Sequence, residues 1–193
     1  MFFFKLVLKS DILFCSFNHL KKSWINLIFD LISKVLDIVK PELKSKNIQI
    51  QLRVDDSLVI KVNPAEIEQV ILNLINNAAQ ALANAGTLQR RITIEAIKAG
   101  QLVRFTVSDN GSGVPIEFKS HLFELLSTTK QTGMGLGLWL CKHIVTRYSG
   151  SIHHEDAIGG GAKFIVEFPP LISPMANWLD KWLRGAWGLI HYV

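Results

Sequence analysis

"TTKQTGMGLGLWLCKHIV", residues 128–145, sets glycines at 133, 135 and 137 and then runs directly into an apolar segment with helical spacing. The stretch excludes two common glycine-loop folds. The dinucleotide fingerprint requires a third glycine where Leu138 stands, and a phosphate loop of the Walker type requires a Gly-Lys-Ser/Thr that does not follow. What remains is a flexible glycine run entering the N-terminus of a helix, where free backbone N–H groups and the positive dipole end favour an anion, phosphate above all. Close packing of that helix on a sheet explains the same glycines. The helix is expected from about Leu136 to a stop at Gly150.

Upstream, "NPAEIEQVILNLINNAAQAL" (63–82) is a second helix. Asn63 is placed as N-cap, Pro64 at the first helical position and Glu66 to complete a capping box. Ile67, Val70, Ile71, Leu74, Ile75 and Ala78 form its core stripe, which leaves Asn73 and Asn77 four apart on one flank. Two carboxamides on one side offer hard oxygen ligands suited to Mg²⁺, which takes its remaining ligands from water and substrate phosphates. The same pair fits plain surface polarity or helix-to-loop hydrogen bonding.

Around these helices the chain alternates in type. A helix is expected from Ile25 to Leu43. Strands follow at Ile48 to Val54 and Leu58 to Val62, then in "RRITIEAIKAGQLVRFTVSD" on either side of a turn at Gly100, and finally at Ser151 to His154 and Ala162 to Phe168. This order predicts an α+β fold: a two-layer sandwich whose mixed, mostly antiparallel sheet is covered on one face by helices. In "VSDNGSGVP" a strand ends at Asp109 and is followed by Gly111 and Gly113. A carboxylate fixed there can accept from an exocyclic amino group such as that of adenine, while the glycines admit close backbone approach. Asp-Asn-Gly is equally strong turn chemistry.

The 193 residues are 49% hydrophobic, ample for one core, and the net charge of +5 suits a nucleotide, an acidic surface or solvated lysines. No basic stripe with interleaved aromatics is present, so no nucleic-acid partner is expected. The two cysteines, Cys15 and Cys141, have no metal-ligand spacing, which fits a reduced, cytoplasmic protein. Residues 1–22 are apolar but broken by Lys5, Lys9 and Asp11, so neither a spanning helix nor a signal peptide is read there. In residues 171–193, Trp178, Leu179, Trp182, Leu183 and Ala186 recur at helical spacing. Residues 175–190 therefore suit packing on the domain, self-association or a membrane surface.

Taken in order, these motifs resemble the ATP-binding motifs of the family that contains gyrase, the heat-shock chaperone ATPases, bacterial sensor histidine kinases and the mismatch-repair MutL proteins. "EQVILNLINNAAQAL" looks like the asparagine motif, "DNGSGVP" the first glycine motif, "LFELLSTTK" the phenylalanine motif of the lid, "GMGLGLWLCKHIV" the second glycine motif and "GGGAKFIVEFPP" the closing glycine segment. The resemblance is nearest to the catalytic domain of histidine kinases and implies a Bergerat-type ATP-binding domain over 23–170. It places adenine in a pocket near Asp109, Mg²⁺ on Asn77 with Asn73 nearby, and ATP as a whole among Asn73, Asn77, Asp109, Gly111, Gly113, Thr128, Thr129, Lys130, Gly133, Gly135, Gly137 and Leu138, with the lid closing over the triphosphate.

Two departures stand out. Leu125, Leu126 and Ser127 replace the Pro and two aromatics usual in the lid, and Ala162 replaces a Thr often found beside adenine. About 22 residues precede the domain, and their histidine, His19, is followed by Leu20 rather than an acidic residue. No phospho-accepting hairpin is read, so the expected function is ATP binding and phosphoryl transfer to a histidine in trans, or a fragment of a sensor kinase, with a phosphotransfer domain or response regulator as partner. A serine kinase of the anti-sigma type and a non-catalytic ATP-binding module are the alternatives. Enzymes of the anti-sigma and gyrase kind place a catalytic Glu where this chain has Asn73, which argues against activation of serine or water.

Overall fold

The computed structural model describes residues 25–125 and 135–170. Residues 1–24, the lid stretch 126–134 with Thr128, Thr129, Lys130 and Gly133, and the Trp-containing tail 171–193 lie outside the described residues.

The chain runs β1 (Ile25–Leu27), α1 (Ile28–Ser45), β2 (Ile48–Val54), β3 (Val59–Lys61), α2 (Pro64–Asn84), β4 (Arg90–Ala99), β5 (Leu102–Asp109), α3 (Ile116–Lys119), α4 (Gly137–Arg147), β6 (Ser151–Asp156) and β7 (Ala162–Phe168). Five strands form one sheet in the order β2-β4-β5-β7-β6; β2 pairs parallel to β4 and every other neighbour is antiparallel. The expected mixed, mostly antiparallel sheet is therefore present. Strand alternation puts Ile92, Ile94, Val103, Phe105, Val107, Phe164, Val166 and Phe168 on one face. These residues share a single buried core with Leu31, Ile32 and Val35 of α1, Ile67, Ile71, Leu74 and Ile75 of α2, and Cys141, Ile144 and Val145 of α4.

The first helix begins later than its periodicity suggests. Ile25 to Leu27 form a short antiparallel ribbon with β3, pinned by the Asn26 amide donating to the Val62 carbonyl (2.9 Å), and α1 starts only at Ile28. An apolar run of three residues fits either period, and the pairing with a segment far along the chain decides it.

The second helix starts as expected, with Asn63 accepting from the Ala65 N–H (3.1 Å) and Pro64 at the first position. The capping box itself does not form. The Asn63 N–H donates instead to the hydroxyl of Tyr148 (3.1 Å), and that hydroxyl donates to Glu66, which also pairs with Arg147 (3.0 Å). A tyrosine hydroxyl thus stands between the two partners of the box and ties the start of α2 to the end of α4.

The end of α4 also differs from expectation. The left-handed residue is Ser149 (φ 56°), whose N–H donates to Thr146, while the Gly150 N–H reaches back to Val145 (3.1 Å) in a Schellman arrangement. Gly150 is required for another reason: a Cβ there would stand 2.5 Å from the Glu167 carbonyl oxygen and 2.9 Å from Val145 Cγ1. Among the described residues, no helix is long and apolar enough to cross a membrane.

Candidate nucleotide site

Asp109 is the last residue of β5 and continues the inward-facing register of Phe105 and Val107, so its carboxylate enters the helix layer. It is 4% exposed and receives two backbone hydrogen bonds, both on Oδ1, from Gly111 (2.8 Å) and from Ala162 (3.4 Å). Burial raises its pKa above the ordinary carboxylate value, against the lowering effect of the two N–H donors. The Ala162 contact comes from the backbone, so the missing threonine side chain does not remove it.

Glycines bring other backbone close to this carboxylate. A Cβ on Gly111 would meet Asp109 Oδ1 at 3.0 Å and the backbone of Ala81 on α2 at 3.2 Å. Gly161, in the loop before β7, has φ +92°, and a Cβ there would lie 2.0 Å from the Asp109 carbonyl oxygen. Only glycine fits that position on both counts. Gly113 (φ +72°) faces the Gly161 carbonyl in turn. Gly161 belongs to the closing glycine segment, and nothing in the sequence shows that it touches Asp109.

From Ala81 the site extends backward along α2. Asn77 is half-buried one turn away, and Asn73 a further turn. The Asn73 amide accepts from Gln69 (3.1 Å) and donates to the Gly137 carbonyl (3.4 Å) and to Cys141 Sγ (3.8 Å). Asn73 therefore fastens α2 to the first turn of α4. Helix α4 begins at Gly137 with Leu136 as N-cap and no side-chain cap, immediately after Gly135, which holds φ +65°. Leu138 packs against the core. At the root of the lid, Phe123 packs edge-on against Phe164 (centroids 6.4 Å apart), which also lies against His154.

Helix α2 thus acts as a ruler. Gly111, hydrogen-bonded to Asp109, lies at Ala81, Gly137 lies at Asn73, and Asn77 falls midway along about 12 Å of helix axis at ~1.5 Å per residue. A buried acceptor at one end and an uncapped helix start at the other suit a ligand with a hydrogen-bonding ring and an anionic chain. Of the residues expected at the site, Asn73, Asn77, Asp109, Gly111, Gly113, Gly135, Gly137 and Leu138 are described; contacts join Gly111 to Asp109 and Ala81, Gly113 to Gly161, and Asn73 to Gly137.

Known proteins point the same way. Residues 62–172, more than half of the chain, match the family model described as "Histidine kinase-, DNA gyrase B-, and HSP90-like ATPase". Sporulation kinase D of Bacillus subtilis (strain 168) is 32% identical over 147 residues, 75% of this chain and 28% of that protein. Sensor histidine kinase ZraS of Salmonella typhi is 34% identical over 153 residues, 78% of this chain and 32% of that protein. The chain spans about a third or less of the length of these curated relatives. Among solved structures, the nucleotide-free catalytic domain of histidine kinase ThkA superposes with a TM-score of 0.67 at 28% identity, covering 75% of this chain and 93% of that one. Full-length ShkA in complex with AMPPNP superposes with a TM-score of 0.64 at 26% identity, covering 75% of this chain and 31% of that one. The chain therefore belongs to the histidine kinase-, DNA gyrase B- and HSP90-like ATPase family, and carries the ATP-binding catalytic domain of a histidine kinase.

Proposed function

We propose that residues 23–170 bind Mg-ATP along α2 and deliver its γ-phosphoryl group to a histidine supplied from outside those residues, on the cytoplasmic side where ATP is found. The spacing of Asp109, Asn77 and Gly137 along one helix is the observation that carries this reading. Asp109 Oδ1 is held by two N–H donors, which leaves Oδ2 for the adenine amino group. The start of α4 takes the phosphate chain, and the family resemblance assigns Thr128, Thr129, Lys130 and Gly133 to the same ligand.

The donor set fits Mg²⁺. Among the described residues no three His, Cys, Asp or Glu side chains cluster as a metal cage, and a single amide oxygen at Asn77 suits an ion that takes most of its ligands from phosphate and water. Bound there, the ion would neutralise charge on the phosphates. Asn73 is committed to Gly137 and Cys141, and as an amide it supplies no base. That disfavours the serine-kinase alternative.

The test is nucleotide binding by calorimetry, with and without Mg²⁺. Asn77→Ala is expected to abolish the gain in ATP affinity on adding Mg²⁺ while keeping metal-free binding and the circular dichroism spectrum; Asn76→Ala is expected to change little. A full Mg²⁺ gain in Asn77→Ala would remove the metal role. Transfer is tested by incubation with labelled ATP and a separate helical hairpin bearing an accepting histidine. Acid-labile, base-stable label on the hairpin is expected, and acid-stable label on serine or threonine would favour the serine-kinase reading.

A further inference from the structure

The segment that carries Asp109 is held by a residue outside the nucleotide path. Regular pairing of β4 with β5 ends at Ile92↔Asp109. Beyond it, the side chain of Asn110 takes over the role of a strand backbone. Its Oδ1 accepts from the Arg91 N–H (2.8 Å), and its Nδ2 donates to the Gln89 carbonyl (2.7 Å). The Thr87 hydroxyl adds a longer hydrogen bond to the Asn110 carbonyl (3.5 Å). One carboxamide thus supplies both the acceptor and the donor that a paired residue would have offered, at the point where the chain turns away into Gly111.

The neighbouring contacts make this brace consequential. The backbone of residues 109 to 111 is crowded by Gly161, whose added Cβ would also lie 2.9 Å from Asn110 Cα, and on the other side by Ala81 of α2 against Gly111. The Asn110 amide closes the third side, from the start of β4. The backbone that presents Asp109 is thus held on three sides, and its Oδ1 is held in turn by the Gly111 and Ala162 N–H groups. A side chain that reads a single ring substituent needs such fixing, because its discrimination depends on where the acceptor points.

We infer that Asn110 is a positioning residue for base recognition: its two hydrogen bonds to β4 fix the direction of Asp109, and with it the preference for adenine over guanine. The inference rests on the proposed reading of Asp109 as acceptor for the adenine amino group.

The experiment measures affinities for ATP and GTP, each with Mg²⁺, for the wild type, Asn110→Ala, Asn110→Asp, Gln89→Ala and Asp109→Asn, with melting temperatures alongside. Asn110→Ala is expected to lose about 10-fold in ATP affinity and to narrow the ATP:GTP ratio by a similar factor. Asn110→Asp keeps the acceptor for Arg91 and loses the donor to Gln89, and is expected to fall between Asn110→Ala and the wild type. Gln89→Ala, which keeps the backbone carbonyl, should leave the ratio unchanged. A merely structural role would lower the melting temperature, or both affinities equally, and leave the ratio intact; that outcome in Asn110→Ala overturns the proposal. Should Asn110→Ala not fold, an unchanged ratio in Asn110→Asp overturns it equally. If the wild type fails to discriminate, or Asp109→Asn keeps the wild-type ratio, the reading of Asp109 itself fails, a different result from an unchanged ratio in the Asn110 variants alone.

Discussion

A buried carboxylate with two N–H donors on one oxygen weighs on the stability of the domain that carries it. Burial holds the Asp109 pKa above its ordinary 3.8, so its contribution to stability is fully present below that value and is lost as pH rises through the folded pKa. At neutral pH the ionised group therefore costs stability. Asp109→Asn keeps Oδ1 for Gly111 and Ala162, and is expected to leave the ligand-free melting temperature equal or higher while weakening ATP by roughly 1–3 kcal/mol. Because only the carboxylate is a pure acceptor, the affinity advantage of wild type over Asp109→Asn should shrink as pH falls through the raised pKa; calorimetry at several pH values checks it, and a constant advantage would contradict the assignment. A second pair of adjacent residues separates two reasons for glycine. Ser149→Gly relieves a left-handed serine and should stabilise by up to about 1 kcal/mol, whereas Gly150→Ala drives a methyl into the Glu167 carbonyl and should destabilise by roughly 1–3 kcal/mol in urea unfolding.

Helices α2 and α4 are joined at two places, and the two joints differ in kind. At the start of α2, the Tyr148 hydroxyl mediates between the Asn63 N–H and Glu66, and burial followed by the Glu66 contact raises its pKa. Tyr148→Phe leaves both partners short of a hydrogen bond and is expected to cost about 1–2 kcal/mol; Arg147→Ala, which removes an exposed ion pair, should cost under about 1 kcal/mol. Denaturant midpoints would show the order, and a reversed order would count against the hydroxyl bridge. At the other joint Cys141 is fully buried and its thiol is pushed up to about 12 by burial, with the Asn73 amide acting the other way. In a Cys15→Ser background a thiol reagent should label Cys141 far more slowly than a free cysteine, at a rate set by separation of the two helices. Fast labelling would mean the seam is open. Of these features the sequence showed α2 itself, because cap, proline and periodicity coincide, and it showed Asn73 and Asn77 on one flank. It could not show Tyr148, which lies 85 residues from the backbone N–H it serves. Nor could it show that Asn73 would be taken up by Gly137 and Cys141, since those contacts arise from the packing of two helices.

At the scale of the molecule, the layers and most strands were legible because alternation, turn glycines and helix signals agree over long stretches. What was missed depends on pairing between distant segments: the ribbon of β1 with β3, the brace from Asn110 to β4, and the approach of Gly161 to Asp109. The same distinction has a kinetic counterpart in the strand order. The hairpin β4–β5 closes through a turn at Gly100, so its contacts form across a short loop. The parallel pair β2–β4 instead requires β3 and all of α2 to intervene before Ile48 meets Arg90. Closing the longer loop costs more chain entropy and is rewarded later. Val107→Ala in the hairpin should therefore slow folding, while Ile48→Ala on the edge strand should act mainly by speeding unfolding, as the two arms of a stopped-flow chevron would separate. Equal effects on the folding arm would refute this order of events. On it, the strand that carries Asp109 is in place before the parallel edge strand docks, so a nascent domain holds this buried carboxylate before its sheet is complete.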